Sequence, residues 1–74
     1  MKKEFVVIGL GRFGGSIAKE LIYQGANVMV IDTSAERVDE FAHIATQAIV
    51  ANTTDEAVIK SLGLWNYEHV IVAI

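Results

Sequence analysis

The strongest constraint on this chain is a change of hydrophobic period across a run of glycines. Residues 5–8, Phe-Val-Val-Ile, are continuously apolar and largely β-branched, the pattern of a strand buried on both faces. Gly9-Leu10-Gly11-Arg12-Phe13-Gly14 follows. From Phe13 onward apolar residues recur at helical spacing, through Ile17 and Leu21 with Ala18 and Ile22 beside them, until Gly25 ends the pattern. A strand therefore hands over to a helix inside a loop that is nearly free of side chains. Each glycine of such a G-x-G-x-x-G spacing has a mechanical reading: a tight turn out of the strand, close approach of backbone to a pyrophosphate, and close contact between helix and strand. The spacing alone is a weak signal, and its position between strand and helix is what makes it informative.

The period keeps switching along the chain. Residues 28–31 read as a second buried strand that closes on Asp32, and Val38, Phe41, Ala42 and Ala45 form a second helical stripe. Residues 47–50 read as a short third strand, 55–62 as a third helix and 69–74 as a fourth strand. Parallel strands need long connections and helices supply them, so the alternation predicts a parallel sheet with right-handed crossovers. Thr33-Ser34-Ala35-Glu36 and Thr53-Thr54-Asp55-Glu56 fit the capping box, which assigns the two leading threonines to the N-caps of the second and third helices. The first helix has no such cap, which leaves its opening amides free for another partner.

In a sheet of this kind ligands lie beyond the C-terminal ends of the strands. That edge is formed by residues 9–14, 32–34 and 51–54. The helix N-terminus there carries partial positive charge and unpaired N–H groups that favour an anion. Arg12 stands where the helix field disfavours a cation, and a phosphate beside it accounts for that placement. Asp32, about 20 residues beyond the glycines, is expected to accept hydrogen bonds from ribose hydroxyls; its charge disfavours the 2′-phosphate of NADP. Asn52 is expected either to pair with an adenine edge or to form an Asx turn. The candidate cofactor-binding set is thus Gly9, Leu10, Gly11, Arg12, Phe13, Gly14, Asp32, Thr33, Asn52 and Thr53.

Composition excludes several other functions. A chain of 74 residues has room for one domain, residues 1–74, and little space for a separate substrate-holding unit. Its net charge is −3 and its six basic residues are scattered, which argues against nucleic acid and acidic lipid as partners. Absence of cysteine excludes disulfides and thiol chemistry and fits a reducing compartment. Glu4 interrupts the basic-then-apolar opening, and no apolar run approaches the roughly 20 residues of a membrane helix, so a soluble, cytoplasmic domain is expected. His43, His69 and Tyr23 fall toward the edge opposite the glycines, no metal-ligand spacing is present, and Trp65 and Tyr67 read as packing residues. These placements predict binding rather than catalysis.

The stretches FVVIGLGRFGGSIAKEL, VMVIDTSAERV and ANTTDEAVIKSLGLWNYEHVIVAI resemble, over the whole chain, the N-terminal regulatory nucleotide-binding domain (KTN, or RCK-N) of bacterial potassium transport proteins. The resemblance is nearest to the cytosolic subunits of Ktr-type uptake systems. It implies an α/β, Rossmann-like parallel sheet of four strands in the order 3-2-1-4 with three helices, the first half of a longer domain. It implies a sensor that binds ATP, ADP or NAD(H), dimerises within a ring, and acts on a membrane potassium transporter subunit. By this likeness Gly9, Gly11 and Gly14 hold phosphates, Asp32 the ribose, Asn52 the adenine, and Arg12 a terminal phosphate, including across a dimer interface. Many such domains carry aspartate where this chain has Asn52. With only four strands in that order, the fourth is an open apolar edge, which predicts a homodimer. Two other readings remain at this point: the cofactor half of an NAD-dependent dehydrogenase, and a minimal scaffold that binds weakly.

Overall fold

A computed structural model describes residues 3–74, with the side chain of Trp65 outside the description. Four strands, β1 (Glu4–Ile8), β2 (Asn27–Asp32), β3 (Gln47–Val50) and β4 (His69–Val72), alternate with helices α1 (Arg12–Tyr23), α2 (Ala35–Asp39) and α3 (Glu56–Leu62). A 3-10 turn, Leu64–Asn66, leads into β4. All pairings are parallel, as the alternation predicts, and the order is β3-β2-β1-β4, as the resemblance implies. The register sets Ile8 opposite Ile31 and Val72, so the strands end together and their following loops share one edge.

The core is two-sided. Val7, Val28 and Val30 face α1 and α2, meeting Leu10, Ala18, Val38 and Phe41. Val6, Ile8, Met29 and Ile31 face the other way and meet Leu64, with Ile59 and Leu62 of α3 packed against them. Central strands buried on both faces explain the unbroken apolar runs in β1 and β2. The edge strands are less covered, with Val50, Val70 and Val72 exposed.

Four expectations shift. Phe13 does not belong to the buried stripe of α1: it is 75% exposed, and the helix instead turns Gly14, Gly15 and Ala18 onto the sheet. The reason is steric, because a Cβ on Gly14 would overlap the Gly9 carbonyl and one on Gly15 would stand 3.2 Å from the Leu10 carbonyl oxygen. The second helical stripe is cut short. α2 stops at Asp39, and the chain reaches Phe41 and Ala45 through turns in which Phe41 N–H donates to Val38 and Ala42 N–H to Asp39, leaving Ala42 exposed. β4 ends at Val72, short of residue 74. The caps also differ: Ser34 and Asp55, not Thr33 and Thr53, accept the capping amides, from Arg37 and Ala57 respectively. Each helix begins later because the residue ending the preceding strand or loop already holds an amide, Asp32 that of Ser34 and Asn52 that of Thr54.

Candidate functional site

The loop between β1 and α1 is built by its glycines for two kinds of reason. Gly9 has φ +94°, a conformation that side chains disfavour, and a Cβ there would come within 2.6 Å of the Ala73 carbonyl oxygen. Gly14 is needed for the contact with Gly9 just described. Both demands come from the protein itself. Gly11 differs. It is extended, it precedes α1 without a capping side chain, and a Cβ on it would meet only the terminal Nη1 of Arg37, at 3.6 Å. No packing contact requires glycine there.

The helix that follows opens without acidic residues, and its first bond runs from Gly15 N–H to the Gly11 carbonyl at 2.8 Å. Amides earlier in the turn have no intrahelical carbonyl to meet, the arrangement that suits an anion. Leu10 contributes differently from expectation. Its side chain is buried in the core and its N–H is already donated to Asp32 Oδ2 at 2.6 Å.

Asp32, at the end of β2, is the one buried charged residue among the described residues. Its Oδ1 accepts the Ser34 N–H at 2.9 Å, and Arg37 Nη1 stands 3.9 Å from Oδ2. Burial pushes the carboxyl pKa up, but the amides of Ser34 and Leu10, the Arg37 charge and the Thr33 amide outweigh it, and the group lies below its ordinary value. A carboxylate offers about four lone-pair directions, so two amides leave capacity for ribose hydroxyls.

Two clefts flank this carboxylate. One, of about 250 Å³ at the strand ends, is lined by Gly9, Asp32, Thr33, Asn52 and Thr53, among others. The second, of about 340 Å³ between α1 and α2, takes in Leu10, Gly11, Arg12, Lys19 and Glu40. Arg37 lines both. The larger cleft is the more open and lies away from the strand ends, so size does not decide which is the ligand site; the smaller one holds Asp32 and the loop residues that follow β1, β2 and β3. The candidate residues are therefore divided between two adjoining hollows. Phe13 and Gly14 line neither, the first pointing to solvent and the second closed against Gly9 and Ala73. Asn52 adopts the Asx alternative, its Oδ1 accepting the Thr54 N–H at 3.0 Å and the Thr54 hydroxyl at 2.6 Å.

Arg37 is the residue that motif reasoning passed over. No sequence signal marks it: on the five-residue α2 it falls in the last turn, where a cation is ordinary. His69 stacks on Phe5 at the far end of the sheet, ring centroids 4.8 Å apart, and neither it, His43 nor Tyr23 lines either cleft. Among the described residues no cluster of His, Cys, Asp and Glu is placed to hold a metal ion, and no helix is long and apolar enough to cross a membrane.

Comparison with known proteins places this geometry in a family. Across all 74 residues the chain is 58% identical to Ktr system potassium uptake protein C of Bacillus subtilis (strain 168), of which it covers 34%. Over 72 residues, 97% of the chain, it is 54% identical to Ktr system potassium uptake protein A of the same organism, covering 32% of it. It is 47% identical to Ktr system potassium uptake protein A of Vibrio alginolyticus over 72 residues, 33% of that protein. The chain thus spans about a third of the length of these curated relatives. Residues 5–74, from β1 to the last residue, match the TrkA-N domain. A parallel sheet in the order 3-2-1-4, a glycine loop feeding an uncapped helix and an aspartate closing the second strand agree with that match, and the chain belongs to the TrkA-N domain family.

Proposed function

We propose that this chain binds the diphosphate of an adenine nucleotide, ATP, ADP or NAD(H), and serves as a non-catalytic sensing module of a potassium uptake system. Gly11 carries the reading. Gly9 and Gly14 have reasons within the fold, whereas Gly11 leaves an open cradle beside unpaired helix amides, where a ligand backbone can come close. Asp32 would take the ribose, with Thr33, Asn52 and Thr53 along the cleft toward the adenine, and Arg12 the outer phosphate. The negative charge of Asp32 argues against NADP. The names of the relatives support a role in potassium uptake, which would set the module in the cytoplasm against a membrane transporter subunit, assembled as a dimer or larger ring.

The test is titration calorimetry of the parent, Gly11→Ala and Gly14→Ala with ATP, ADP, NAD, NADH and NADP. Gly11→Ala should fold as the parent does, because its methyl meets only a movable side chain, yet bind ADP about tenfold or more weakly, a loss of about 1.4 kcal/mol. Gly14→Ala should fail to fold, since its Cβ would overlap the backbone carbonyl of Gly9 and crowd the Ala73 Cβ at 3.0 Å. Undiminished ADP binding by Gly11→Ala would overturn the proposal. Nicotinamide-dependent turnover would favour a dehydrogenase half instead, and indifference of the parent to every nucleotide would favour a bare scaffold.

A further inference from the structure

Arg37 has no part in the reading above, yet the fold holds it at the junction of both clefts. Its Nη1 is 3.9 Å from Asp32 Oδ2 and 3.6 Å from the point that a Cβ on Gly11 would occupy. The backbone beneath it is fixed. Ser34 donates its N–H to Asp32 and accepts the Arg37 N–H on Oγ at 3.3 Å, so the three residues form a closed ring of contacts. The side chain itself is 56% exposed and free to turn.

We infer that Arg37 is a phosphate-recognising residue of this site, its guanidinium placed to meet the 5′-diphosphate of a nucleotide seated against Gly11. The inference rests on the nucleotide reading and adds a cation to it. A group that touches the open side of Gly11 comes within reach of Nη1, because only 3.6 Å separates that guanidinium from the vacant Cβ position. The ion pair with Asp32 is long and its arginine is exposed, and such pairs contribute little. A charge-assisted bond from arginine to phosphate is shorter and stronger. Turning Arg37 from carboxylate to phosphate also leaves Asp32 with its two amide donors, so no bare charge is created. Arg12 and Lys19 on the neighbouring wall add positive field, against the single carboxylate of Glu40.

The experiment measures ADP affinity of the parent, Arg37→Gln and Arg37→Lys at low and high salt, with adenosine 2′,5′-bisphosphate as a second ligand. Arg37→Gln should bind ADP about tenfold more weakly at low salt, with the gap narrowing as salt screens the lost charge. Arg37→Lys should keep most of the affinity. A salt-independent loss would reduce Arg37 to a support for Asp32 and overturn the inference, as would unchanged ADP binding. A loss confined to the 2′-phosphorylated ligand would move Arg37 to the ribose edge and overturn the diphosphate assignment. If the parent itself ignores ADP, the nucleotide reading fails and takes this inference with it; if it binds ADP and Arg37 is silent, only this inference fails.

Discussion

Asp32 has two occupations that one substitution cannot separate. It faces the cleft where a ribose is expected, and it ties the glycine loop to α2 by holding the amides of Leu10 and Ser34. Removing it to test the ligand would therefore also loosen the loop, which is why Gly11 and Arg37 are the cleaner probes. The tie has a signature in pH. In the unfolded chain the carboxyl keeps an ordinary pKa of about 3.9, and in the folded protein it lies lower. The native state thus favours the ionised form. That contribution is fully present above about pH 5 and is lost as pH falls through the depressed folded value. Asp32→Asn should lose about 1–3 kcal/mol at pH 7, because its amide nitrogen would face a backbone N–H. Thermal unfolding followed from pH 7 down to pH 3 should show the parent converging on the variant. Parallel curves would mean that the carboxylate does not hold the loop.

At the scale of the element, α2 shows how little helix a crossover needs. Five residues cannot sustain a helix by propensity. α2 is held by the Ser34 cap at one end and by burial of Val38, then Phe41, at the other. Ser34→Ala should destabilise the protein by about 1 kcal/mol, measured by denaturant unfolding. Because the same cap sets the backbone under Arg37, it should also weaken ADP binding. A variant as stable as the parent would show that the cap is idle. α1 makes the opposite trade. Gly14 and Gly15 each weaken a helix by about 1 kcal/mol relative to alanine, but they let α1 lie against β1 and close the loop that presents Gly11. Its opening residue Arg12 and neighbour Phe13 point outward as a result.

For the molecule as a whole, cover is uneven. β1 and β2 supply most of the fully buried side chains, while β4 leaves Val70 and Val72 at 44% and 64% exposure, with Ile74 beyond them at 91%. An apolar edge strand with unpaired backbone groups is a template for association. This chain should therefore form dimers at high micromolar concentration in sedimentation equilibrium, and Val72→Lys should shift it toward monomer. A parent that stays monomeric throughout would count against β4 as the contact.

The sequence by itself determined the kind and order of the elements, the parallel sheet, the glycine loop and the aspartate that closes β2. Those are written in local terms, as a period of two or 3.6, an apolar run or a residue without a side chain, and they survive translation from string to structure. The tertiary structure alone decided which glycine the fold does not need, that Leu10 rather than a ligand takes one lobe of Asp32, that Phe13 faces solvent and that Arg37 stands over the cradle. Each depends on segments that only folding brings into contact, Leu10 and Asp32 among them, 22 positions apart along the chain. Periodicity suggests which face a residue takes, but the packing of strands and helices decides it, as at Phe13, and sets the distances across the edge where the loops meet.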